Sequence, residues 1–247
     1  MKPRNPLNFI LKQPKDIILF ASSEFIGDRQ KQEDSFLNFK DECFALADGV
    51  GGMPHGDVAA KLAVESAIWG YKLIRQRHTY WQDKKLFIKR IFRSANITVL
   101  QKQREAGFSD GLATTLVVLI MGDRIFWLGS VGDTSAFLYR NEILTKLTAP
   151  DIDEQGYLTK VLGTDRYGLV PQFITDRSLP EDIMLLVTDG VTNFVSQEQM
   201  VTILEKSGQT QRSIQEATDT LTKVAKENGS SDNMTACVVK RVQNTNI

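Results

Sequence analysis

Five segments of this chain place an acidic residue at the edge of a strand-like run, beside glycine or a turn. Asp48 closes the apolar run 43–47 and opens Asp48-Gly49-Val50-Gly51-Gly52. Asp133 follows the run 126–131 in Gly132-Asp133-Thr134, and Asp189 follows 184–188 and precedes Gly190. Asp232 comes after Gly229-Ser230-Ser231, just before the last strand-like run, while Glu33 and Asp34 precede the run that begins at Ser35. Carboxylates suit hard divalent cations, since Mg2+ and Mn2+ take oxygen donors, keep several waters and are held by a few acids plus an occasional carbonyl. Glycine beside the acid lets a carbonyl or a ligand approach closely. A single Asp-Gly is an ordinary turn. Five such segments, in a chain with only 2 histidines and 2 cysteines, point to a metal site.

The elements that must position these acids follow from periodicity. Short apolar or alternating runs at 17–21, 35–39 and 43–47 predict strands. Residues 57–75 predict a helix with Val58, Leu62, Val64, Ala67, Ile68, Tyr71 and Leu73 on one face, and Asp57 sits where an N-terminal acid is favourable. The same pattern recurs over 84–105 through Leu86, Phe87, Ile91, Ala95, Val99 and Leu100, with Gly107 as a stop. From Ala113 the period shortens. Residues 115–121 and 125–131 predict a hairpin around Gly122-Asp123, and 135–139 a further strand turning at Asn141-Glu142. The polar, turn-rich stretch 148–182 reads as an excursion from the core. Residues 184–188 and 234–241 predict strands, with helices at 197–206 and 214–227 between them. Strands and helices in separate runs make a single α+β domain over 1–247, with a basic arm at 1–15.

Composition narrows the partners. The 30 basic residues balance 30 acidic ones, so the excess charge of a nucleic-acid binder is missing. A 42% apolar content over 247 residues suffices for a core and excludes disorder. No apolar run reaches the roughly 18–20 residues of a membrane span. The stretch around Leu7, Phe9, Ile10 and Leu11 is too short for a signal peptide, so a cytoplasmic location is expected. Cys43 and Cys237 lie in apolar runs and read as small buried hydrophobes of a reducing compartment. Packing is the expected role of Trp69, Trp81 and Trp127. His55 and His78 read as solvent-facing, Asp151-Ile152-Asp153 as a solvated loop, and Lys2, Arg4, Lys12 and Lys15 as a solvated tail. Thr114 and Thr115 are expected to open a core strand with no catalytic part.

From Ser22 to Val239 the chain resembles the bacterial metal-dependent protein phosphatases (PPM, or type 2C serine/threonine phosphatases). The carriers, in the family's order, are Arg29-Gln30-Lys31-Gln32-Glu33-Asp34, Ala47-Asp48-Gly49-Val50-Gly51-Gly52-Met53, Gly111-Leu112-Ala113-Thr114-Thr115, Gly132-Asp133-Thr134, Thr188-Asp189-Gly190 and Ser231-Asp232-Asn233. The resemblance implies a four-layer αββα sandwich, two antiparallel sheets flanked by helices. It implies hydrolysis of phosphoserine and phosphothreonine in proteins by a water bridging two Mg2+ or Mn2+ ions, with a weaker third ion in some members. Asp48 matches the carboxylate shared by two metals, with the Gly49 carbonyl and Glu33 on one of them and Asp189 and Asp232 on the other. Asp34 matches the acid that orients metal-bound water, Arg29 the residue that grips substrate phosphate, and Asp133 the acid that holds a third metal with Asp189. The implied partners are phosphorylated proteins, a cognate Ser/Thr kinase or its substrates. Val50 departs from the histidine of many eukaryotic members, Ser135 from an arginine and Asn193 from an aspartate, and the flap within 148–182 is short. Two other readings stay open on this resemblance: a phosphoprotein-binding regulatory module of the same fold with little activity, and a phosphatase for small phosphoesters.

Overall fold

Strands that are apolar at nearly every position are strands covered on both faces, and the central ones here are of that kind. In the computed structural model, which describes residues 16–76, 83–164 and 168–243, β1 (Ile17–Phe25), β2 (Asp34–Phe39) and β3 (Cys43–Asp48) precede a helical pair, α1 (Gly56–Ile74) and α2 (Lys84–Lys102). Then come β4 (Leu116–Met121), β5 (Ile125–Val131), β6 (Ser135–Arg140), β7 (Ile143–Lys146), β8 (Gln172–Arg177) and β9 (Ile183–Val187). Three helices follow, α3 (Asp189–Thr192), α4 (Gln197–Glu205) and α5 (Gln211–Glu227), and β10 (Met234–Val242) closes the chain. The expected basic arm at 1–15, His78 and Trp81 lie outside the described residues.

The strands form two five-stranded sheets, ordered β1-β10-β9-β6-β7 and β2-β3-β4-β5-β8, with every pairing antiparallel. The period of two along each strand divides its side chains between two cores. In β4, Val117 and Leu119 face the space between the sheets, whereas Leu116, Val118 and Ile120 face α1 and α2. In β9, Met184 and Leu186 face between the sheets, and Ile183, Leu185 and Val187 face α4 and α5. Cys43 and Cys237 are buried and free. The result is the four-layer αββα sandwich expected above. No helix of the described residues is long and apolar enough to cross a membrane.

Three expectations are corrected. The stretch 148–182 is only partly an excursion: Leu162 is fully buried and bridges Thr114, and β8 pairs with β5 from Ile125 to Ser130. Trp69 is not a packing residue, being 61% exposed on α1, whereas Trp127 is buried. The last long helix starts at Gln211 and not at 214, because the Thr210 hydroxyl caps the Ser213 N–H at 3.2 Å and fixes an earlier first turn.

Candidate metal centre

The acids stand at strand ends because the two sheets run out at the same place. Asp34 opens β2 and pairs in register with Asp48, which closes β3. Asp189 follows β9, Asp232 precedes β10 and Asp133 follows β5. Seven of the eight residues expected at the site line one cavity of about 230 Å³: Arg29, Glu33, Asp48, Gly49, Asp133, Asp189 and Asp232. Asp34 lies outside that lining. It is 5% exposed and joins the sheets: its Oδ2 accepts hydrogen bonds from the hydroxyls of Thr188 (2.9 Å) and Thr235 (2.7 Å), while its Oδ1 is buried without a partner.

Asp48 is held through its backbone by the two threonines that were expected only to open a core strand. Its N–H donates to Thr115 Oγ1 (3.0 Å), and its carbonyl accepts from the Thr114 hydroxyl (2.8 Å) and the Thr115 N–H (2.9 Å). Thr115 also lines the cavity. Gly49 has no room for a side chain, since a Cβ there would lie 2.5 Å from the Gly56 carbonyl carbon. The entrance of α1 thus packs directly under the Asp48-Gly49 corner. Asp189 is set beside Asp232 by a similar close approach, because a Cβ on Gly190 would meet the Asn233 carbonyl oxygen at 2.0 Å.

Arg29 and Glu33 come from a loop with no regular structure, and Asn233 organises it. The 4%-exposed Asn233 side chain accepts from the Glu33 N–H (2.7 Å) and donates to the carbonyls of Ile26 (2.8 Å) and Lys31 (3.1 Å). The Asp28 N–H adds a bond to the Ser231 carbonyl (2.9 Å), and Lys226 reaches Asp28 at 2.7 Å. Arg29 then extends to Asp232 at 2.7 Å. A side-chain amide is the one short group that both donates twice and accepts. Its position directly after Asp232 is a sequence signal, but its partners lie about two hundred residues away in the chain.

Asp133 is fixed from the other side. Asp151 accepts from the Gly132 N–H (3.1 Å) and its own N–H donates to the Gly132 carbonyl (3.0 Å), while the Ser135 hydroxyl donates to the Asp133 carbonyl (3.1 Å). Asp151 is therefore a half-buried clasp, whereas Ile152 and Asp153 beside it are exposed. Asp153 closes its own turn, accepting from the N–H groups of Gln155 and Tyr157. His55 is half-buried, its ring 4.8 Å from that of Phe108, and Val50 lines the cavity.

The electrostatics of the site fit a hard divalent cation. Burial, reinforced by Asp34 and Asp189, pushes Asp48 well above the usual carboxylate range. Burial raises Asp189 to about 6, with Asp133 and Asp232 adding to the effect, and raises Asp34 to about 7 against its two threonine hydrogen bonds. Glu33 and Asp133 are raised by burial as well. Desolvated acids that repel one another are stabilised by a cation or by protons. The donors are carboxylates and a glycine carbonyl, with no thiolate or imidazole in the lining, which is the chemistry of Mg2+ and Mn2+. Among the described residues no three acid, histidine or cysteine side chains are gathered into a finished cage; Asp232 is drawn onto Arg29 instead.

The family model of protein phosphatase 2C matches residues 26–233. The serine/threonine phosphatase stp of Listeria monocytogenes is 26% identical over 215 residues, covering 79% of this chain and 83% of that protein. A putative protein phosphatase of Mycoplasma genitalium is 25% identical over 243 residues, covering 86% and 91%. Among solved structures, the catalytic domain of the serine threonine protein phosphatase PstP in complex with 2 manganese ions superposes with a TM-score of 0.76 at 24% identity, covering 92% of this chain and 99% of that one. This last likeness shows the fold.

Proposed function

The chain belongs to the protein phosphatase 2C family and is a protein-serine/threonine phosphatase; we propose that it hydrolyses phosphoserine and phosphothreonine esters at the acid-lined cavity. One observation carries this reading: carboxylates from two separate sheets, Asp48 from one and Asp189 and Asp232 from the other, line the same cavity with an arginine among them. Asp48, the Gly49 carbonyl and Glu33 would hold one Mg2+ or Mn2+ ion, and Asp48, Asp189 and Asp232 the other, with Asp133 and Asp189 available to a weaker third. When bound, the ions acidify an attacking water and clamp the oxygens of an in-line displacement.

The chain's own groups do the rest. Arg29 offers two parallel N–H donors and a fixed positive charge to the phosphoryl oxygens, a geometry that a lysine cannot supply. The unpartnered Asp34 Oδ1 is an acceptor available to orient a water. Thr114 and Thr115 fix Asp48, and Asn233 fixes the loop that carries Arg29 and Glu33. The partners on this reading are phosphorylated proteins of the cytoplasm, a Ser/Thr kinase or its substrates among them.

Hydrolysis of a phosphothreonine peptide tests the proposal. A chelator should abolish it and Mn2+ restore it, and Asp48→Asn should lower kcat by several orders of magnitude with the fold intact. Full activity in Asp48→Asn would contradict the reading.

A further inference from the structure

A cation in the first turn of a helix opposes the macrodipole, so a basic helix start needs a reason. α2 carries Lys84, Lys85, Lys89, Arg90, Arg93 and Lys102 and no acidic residue at all. Lys84 lies over the Trp127 ring at 4.9 Å. Lys85, Lys89 and Arg93 are exposed and, among the described residues, form no ion pair. Apart from Asp83, which caps the helix by accepting from the Leu86 N–H, no acid stands on α2, so the fold leaves an exposed run of positive charge in a chain whose net charge is zero.

The same pair of helices also exposes apolar side chains. α1 and α2 pack side by side through the Ser66 hydroxyl, which meets those of Ser94 (3.4 Å) and Thr98 (3.1 Å), and through Tyr71 and Phe87, whose rings are 6.0 Å apart. One turn apart on α1, Trp69 is 61% and Leu73 52% exposed, and Leu86 of α2 is 39% exposed. Leu86, Lys89 and Arg93 follow the three-and-four spacing of a single helix face.

We propose that this outer face of α1 and α2 docks the protein on an anionic membrane surface, with Trp69, Leu73 and Leu86 entering the headgroup layer and Lys85, Lys89 and Arg93 pairing with lipid phosphates. A bilayer surface accepts separate apolar side chains set among cations, whose stems also lie on apolar surroundings. Tryptophan is the side chain most at home at that boundary. The catalytic cavity stays clear of the membrane in this arrangement. α1 starts against the Asp48-Gly49 corner at Gly56, and Leu73 lies seventeen residues further along, roughly 25 Å at the helical rise.

Co-sedimentation of the full chain with vesicles tests this. The protein should bind vesicles containing phosphatidylglycerol and not vesicles of pure phosphatidylcholine, and salt should weaken the binding. The triple variant Lys85→Glu/Lys89→Glu/Arg93→Glu should lose at least about tenfold in affinity. Trp69→Ser should also weaken binding and abolish any vesicle-induced blue shift of tryptophan fluorescence. Both variants should keep wild-type melting temperatures and hydrolyse a soluble phosphopeptide at the wild-type rate. Equal binding by the triple variant would overturn the proposal, as would failure to bind either vesicle. Retention on an acidic polypeptide such as polyglutamate without vesicle binding would overturn it too, and would assign the face to a protein partner.

Discussion

Arg29 is 2.7 Å from Asp232 and its side chain is 47% exposed, so its charge sits at the rim of the cavity rather than inside it. A rim cation is free to turn towards an incoming phosphate. Arg29→Ala should therefore raise KM, and lower kcat as well if the contact tightens in the transition state. Arg29→Lys should recover only part of the loss, because an ammonium lacks the planar fork. Steady-state kinetics on one phosphothreonine peptide check both, and unchanged constants in Arg29→Ala would mean that another group holds the phosphate. At this scale the acids were legible in the sequence, because residue type and position at a strand edge already state their chemistry. Thr115 and Asn233 were not. Each stands in one of the motifs that carry the resemblance, but its work is hydrogen bonding to backbone that is remote in sequence, and the motif does not state those partners.

The element that most needs support is the loop between β1 and β2, which carries Arg29 and Glu33 without a helix or strand of its own. Asn233 supplies three hydrogen bonds to it. Asn233→Ala removes all three and leaves a buried N–H and two carbonyls without their partner, at a cost of about 1–3 kcal/mol for each group that water does not reach. The variant should lower Mn2+ affinity, measured by calorimetry, and raise KM together, because both depend on the same loop. A loss of stability alone, with Mn2+ affinity and KM unchanged, would show that the clasp holds the fold and not the site. Among the strands, the central ones were readable from unbroken apolar runs. β7 and β8 were not, since each is an edge strand with a single neighbour and tolerates polar residues such as Gln172, Asp176 and Arg177. For that reason the sequence pattern places β8 within a polar excursion.

At the scale of the whole molecule, the site is where two sheets meet, and Asp34 is the joint. Its chain position says nothing of Thr188 and Thr235, which come from the opposite sheet; only the packing of the sandwich brings them together. The raised acids also tie global stability to pH. Burial lifts Asp34 to about 7 and Asp189 to about 6 from an ordinary value of 3.8. Their contribution is fully present below about pH 4 and is lost as pH rises through 6 and 7, because the folded state binds more protons than the unfolded chain in that window. The chelated protein should melt at a higher temperature at pH 5 than at pH 8, and Mn2+ at pH 8 should reverse the loss. A melting temperature that rises with pH in the presence of chelator would refute this linkage.

The central claim is that acids from both sheets make one two-ion centre, and Mn2+ titration of the chelated protein at neutral pH, followed by calorimetry, tests it most directly. The wild type should bind two Mn2+ ions tightly, with any third much weaker. Asp48→Asn, which removes the carboxylate shared between them, should bind at most one. Two tight ions in Asp48→Asn, or none in the wild type, would contradict it.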